Sequence, residues 1–145
     1  MTKEQFDTTN QELKATRLSI CDLTEEAEGI TTGPLRDTER RIADWDANQT
    51  ADIARQTTGE TGKPVFSNAE ARAAELALRQ TGSVDRRDLA DAQTAYQAQL
   101  AAIRNTIARK HVEASFLQND ISYAIHQGLQ ATAMRDMLLG LAGQV

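Results

Sequence analysis

A mostly apolar repeat runs along the last third of the chain in alternating steps of four and three: Leu89, Gln93, Tyr96, Leu100, Ile103, Ile107, Lys110, Ala114, Leu117, Ile121, Ala124 and Gly128. That is the spacing of a helix that buries one narrow seam against another helix. It predicts a long helix over 84–127, capped by Ser83 and opened by Asp85, Asp88 and Asp91 at the positive end of the helix dipole. From Val112 onward a second line, Val112, Phe116 and Tyr123, falls on a face different from that of Leu117 and Ile121. A helix apolar on two faces needs two neighbours.

The same periodicity organises the rest of the chain. Phe6, Leu13, Ile20 and Ala27 stand seven apart and are joined by Leu23 and Ile30, which predicts an amphipathic helix over 3–28. The run from Gly29 to Gly33 is expected to break it, with Pro34 at the first position of a second helix over 34–57. This second helix turns Leu35, Ile42, Trp45 and Ile53 inward, and Arg36, Arg40, Arg41, Asp44 and Asp46 outward. Residues 57–64 are a turn by composition, and Val65-Phe66 reads as extended. Ser67 with Glu70 is a capping-box pattern before a short alanine-rich helix from about Asn68 to Gln80, which Gly82 is expected to end in the left-handed conformation. A last short helix over 129–142, set off by Gly128, groups Met134, Met137, Leu138 and Leu141.

The expected fold is therefore all-α and a single domain. It is a long antiparallel coiled-coil helical hairpin with arms 34–57 and 84–127, a tip over 58–83 carrying its own helix, an extra N-terminal helix over 3–28 and a short C-terminal one. Composition thins the core of that picture: only 40% of residues are hydrophobic and 4% aromatic, so burial must come from many small seam contacts. The charged residues are of mixed sign with a net charge of −5, which excludes a global basic field but leaves room for a local patch. Cys21 is the one cysteine, so an internal disulfide and a cysteine-based zinc site are excluded. The start MTKEQFDTTNQELK lacks the apolar core of a signal peptide and no long apolar run follows, giving the expectation of a soluble, cytoplasmic protein without a membrane segment.

Candidate chemistry is sparse. His111 and His126 are fifteen residues apart on one predicted helix, too far along it to share a metal. The glutamates do not form the inward ExxH sets of di-iron bundles, and Cys21 reads as a small residue near the seam. Gly59-Glu60-Thr61-Gly62-Lys63 invites comparison with a phosphate loop, but the full GxxxxGK[ST] pattern is missing and Pro64 follows the lysine. No enzyme, cofactor or metal is expected on these grounds. Arg72, Arg79 and Arg86 are spaced by seven, and Arg87, Arg104 and Arg109 follow, which makes them the candidates for nucleic-acid contact. Interleaved Glu70, Glu75, Asp85, Asp88 and Asp91 argue for a salt-bridged face instead. Lys110, a charge in the seam, is a candidate for setting register or partner number.

The stretch Gly62-Lys63-Pro64-Val65-Phe66-Ser67-Asn68-Ala69-Glu70-Ala71-Arg72, with Gly33-Pro34-Leu35-Arg36 opening the preceding helix, resembles the tip region of small helical-hairpin proteins of phages and prophages. The resemblance covers roughly residues 30 to 125. It implies a phage-related origin, hence the host cytoplasm, and brings no catalytic residues. The reading at this level is a non-enzymatic structural or regulatory protein–protein interaction module, self-associating or bound to a protein partner. Its interface candidates are Lys110, Val112, Phe116, Tyr123, Met134, Met137, Leu138 and Leu141. The alternative is an accessory nucleic-acid-binding protein of recombination or packaging that uses the arginines from Arg72 to Arg109.

Overall fold

The structure, a computed structural model, describes residues 1–142, and the side chains of all of these except 129, 130, 133, 141 and 142. It is all-α. Helix α1 spans Lys3–Ile30, a five-residue π turn spans Thr31–Leu35, α2 spans Arg36–Arg55, α3 spans Ala69–Gly82 and α4 spans Val84–Ala142. No helix among the described residues is long and apolar enough to cross a membrane. The chain divides into two compact units, one made of Met1–Glu25 with α4 from Ile103 onward, the other of Glu26–Ala102.

Within the second unit, α2 packs against α3 and then against the first part of α4. Asp52 of α2 pairs with Arg79 and Asp46 with Arg86, so the partner strand of helix advances as α2 retreats: the packing is antiparallel. The short helix thus continues the returning arm rather than decorating a tip, and the connection proper is only 56–68. Ile53, at 2% exposure, is the most deeply buried side chain among the described residues, with Leu35 and Leu100 also in the core. Within the first unit, α1 lies antiparallel to α4. Arg17 donates from Nη2 to Gln118 Oε1 at 2.8 Å, and Ile20 and Cys21 stand by Ala114 and His111. Leu13 and Ile121 are its buried apolar residues.

The predicted seam holds at every position from Leu89 to Ala124: each is buried or half-buried, and Gly128 is the first exposed one. Four boundaries differ from expectation. First, the break at 29–33 does not occur: the backbone stays helical through the π turn, with Ile30, Leu35 and Arg36 all right-handed. The widened turn accommodates Pro34, which has no N–H to give, and it takes up one surplus residue. As a result the buried Leu35 and Thr38 continue the stripe of the half-buried Ala27 and Ile30. Second, Gly128 does not separate a C-terminal helix over 129–142, since α4 runs through it. One glycine in an otherwise strong helical run costs only about 1 kcal/mol.

Third, α3 is capped by Asn68, not Ser67: Asn68 is extended and its Oδ1 accepts from Ala71 N at 2.7 Å. Fourth, Gly82 stays in α3 and is not left-handed. The turn is made at Ser83 (φ −88°, ψ 120°), whose Oγ accepts from Arg86 N at 3.2 Å as the expected cap. The left-handed glycine is Gly62 (φ 65°), in the 56–65 loop. There the Thr58 and Val65 amides donate to Lys63 and Gln56 carbonyls, closing a small hairpin-like turn around the Thr57–Pro64 bridge.

Candidate interaction surface

Two of the arginines proposed for nucleic acid are turned into the seam of the second unit. Arg79 Nη1 donates to Asp52 Oδ2 at 2.7 Å and to Gln49 Oε1 at 3.0 Å, while its Nε pairs with Glu75. Arg86 donates from Nε and Nη2 to the two oxygens of Asp46 and lies over the Trp45 ring, 6.0 Å from its centroid. Gln80 donates a third hydrogen bond to Asp46. Both guanidiniums retain only 19% side-chain exposure. Asp46, expected outward, is therefore a half-buried acceptor. The Arg86 hydrogen bond holds its carboxyl below the usual range against a smaller opposing effect of burial, and Arg79 does the same for Asp52.

The sequence carries the signal for this placement. Arg86, Gln93, Leu100, Ile107, Ala114 and Ile121 are seven apart along α4, so Arg86 occupies the same seam position as the core residues that follow, and Arg79 keeps the spacing on α3, across the turn at Ser83. Spacing by seven marks the buried stripe, whatever the residue type. Arg72, Arg87, Arg104 and Arg109 are exposed. Of these, Arg72 reaches the Phe66 carbonyl at 3.5 Å and Arg109 reaches Thr106 at 3.4 Å.

In the first unit, the groove between α1 and α4 encloses about 540 Å³ and is lined by Arg17, Ile20, Cys21, His111, Ala114 and Gln118 among others. Cys21 is exposed on it rather than buried in the seam. No group of three potential metal ligands occurs among the described residues. The Gly59–Lys63 segment is a turn on the α2–α3 connection, without the strand and helix that present a phosphate loop.

What stands out chemically is the far side of α4. Lys110 is half-buried at its seam position, as the register requires. Val112, Phe116 and Tyr123, by contrast, are 56%, 66% and 64% exposed. With about 3.6 residues per turn they lie roughly opposite the seam that faces α1. Met134, Met137 and Leu138 are exposed as well, and the first two continue the Val112–Tyr123 line. The side chain of Leu141 lies outside the described residues. On α1 past Met1, Leu18 is the large apolar residue left in solvent. Comparison with protein-family models, with curated proteins and with solved structures finds no match to this chain.

Proposed function

We propose that the protein is a non-enzymatic interaction module that self-associates through the far side of α4, in keeping with a phage-related origin as a small cytoplasmic assembly or regulatory component. One observation carries this reading. α4 satisfies its seam against α1 and still presents a line of large apolar side chains, Val112, Phe116 and Tyr123, to solvent. Large apolar side chains grouped on one exposed side of a helix are a mark of a docking face. Nucleic-acid contact as the alternative retains Arg72, Arg87, Arg104 and Arg109 as its exposed candidates, and no observation favours it, because Arg79 and Arg86 are engaged by Asp52 and Asp46.

Light scattering over a hundredfold concentration range tests the reading. A mass above 15.9 kDa that rises with concentration is expected, and a monomer throughout overturns it. The double variant Phe116→Glu with Tyr123→Glu is expected to remain helical and become monomeric.

A further inference from the structure

Resting on that reading, we infer that the occupant of the far side of α4 is the same face of a second copy, laid antiparallel about a two-fold axis near residue 125. The two α4 helices then meet along their backs.

Val112, Phe116, Tyr123, Met134 and Met137 keep to a stripe narrower than a third of the helix circumference over more than three heptads, with Leu138 on its edge. Asn119, His126 and Gln127 fall on or beside the same stripe, so its apolar residues form two groups, Val112–Tyr123 and Met134–Leu138, and a partner that covers both must offer an apolar group at each end. The six side chains are each 56–66% exposed. Together they present on the order of 700 Å² of apolar surface, close to the about 800 Å² that each partner brings to a standard interface. An isologous contact needs a face that matches itself. The outer face of α1, with Leu18 as its large apolar residue, offers nothing comparable. Two groups of exposed large apolar residues on one side of α4 are what the described residues offer for such a contact, so a second copy meets it with its own α4.

Charge selects the direction. Between Lys110 and Arg135 the only formally charged residues are Glu113 and Asp120, both flanking the stripe on the same edge. Parallel, in-register pairing would bring each carboxylate level with its own copy, and like charges at such positions are destabilising. Antiparallel pairing sets Glu113 and Asp120 against the uncharged Met137 and Gln130 levels of the second copy. It also lays the Met134 sulfur beside Phe116, a favourable sulfur–aromatic contact. Near the axis, Tyr123 of one copy comes level with Gln127 of the other. The hydrogen bond that Gln127 Nε2 donates to Tyr123 Oη within one helix, at 3.0 Å, can then be exchanged between helices.

The test is disulfide trapping of the full chain in a Cys21→Ser background, which leaves no other thiol. Phe116→Cys and Met134→Cys chains, one of them tagged, are oxidised separately and mixed, with Leu18→Cys as the control on α1 and circular dichroism to confirm that each is helical. The mixture is expected to form the heterodisulfide at least tenfold faster than either chain links to itself. Self-linking of Phe116→Cys and of Met134→Cys in preference to the mixture overturns the antiparallel arrangement. A dimer by light scattering that links only through Leu18→Cys overturns the α4-to-α4 contact but leaves self-association standing. A monomer by light scattering removes both.

Discussion

The two units of this chain use one heptad pattern to different ends. In the unit of Glu26–Ala102, the seam is closed by polar residues: Arg79 and Arg86 at core positions meet Asp52 and Asp46, and the large side chains Ile53, Leu35 and Leu100 are buried among them. In the unit of Met1–Glu25 with the later part of α4, Leu13 and Ile121 are buried together with Thr16, Lys110 is half-buried at a seam position, and α4 keeps large apolar side chains exposed on its back. The difference separates two jobs of a heptad. A seam that contains ion pairs specifies which helices meet and in what register, whereas surplus apolar surface asks for another molecule.

The comparison breaks most readily at Ile53. Ile53→Ala empties the most buried position of the polar unit, and a loss of about 2–5 kcal/mol in urea unfolding is expected. The same truncation at an exposed back residue such as Phe116 should change monomer stability by no more than about 0.5 kcal/mol. At concentrations where light scattering shows a monomer, similar losses at the two sites would mean that the back of α4 is already covered within the chain.

Next in size is the ionic closure. Arg86→Ala removes two hydrogen bonds to Asp46 and the contact with Trp45, and should cost about 1 kcal/mol, partial exposure keeping it small. The pH dependence has a definite sign. Asp46 and Asp52 have carboxyls held below their ordinary value by arginine, so their contribution is complete above the unfolded value near 3.8 and is lost as pH falls through the lower folded values. The thermal midpoint should be flat from pH 7 to 5 and fall below about pH 4. Asp46→Asn should lower the neutral-pH midpoint and flatten the acid limb. An unchanged acid limb in that variant would show that Asp46 carries none of the acid sensitivity.

The long seam was readable because burial every three to four residues is a local, additive signal: Leu89 through Ala124 needed no tertiary knowledge. Arg79 and Arg86 were readable in principle, since they share the spacing of Leu100 and Ile121, but residue type pointed outward while register pointed in. Only their acceptors on α2, remote in sequence, resolve that conflict. Val112, Phe116 and Tyr123 were readable as off the seam, whereas that they stay exposed among the described residues depends on tertiary packing and not on local spacing. Gly29, Gly33 and Pro34 misled because each is a helix breaker taken alone. Their effect depends on whether the turn can widen to hold them.

That last point gives the smallest expected effect, and it tests whether the seams before and after the π turn belong to one register. Ile30 and Leu35 are five residues apart, one more than the seam step of four, and the π turn absorbs the difference. Deleting Pro34 removes the breaker and the surplus residue together. Leu35 then follows Ile30 by four in an unbroken α-helix, and Thr38 and Ile42 keep their places on the stripe. Helix content should be unchanged, and stability should be equal or higher by up to about 1 kcal/mol. Pro34→Ala, which keeps the extra residue, should retain the π turn, because register rather than proline demands it. A deletion elsewhere in a seam rotates every later residue by about 100°, so a cooperative loss of structure on deleting Pro34 would show that the two stretches are not one stripe.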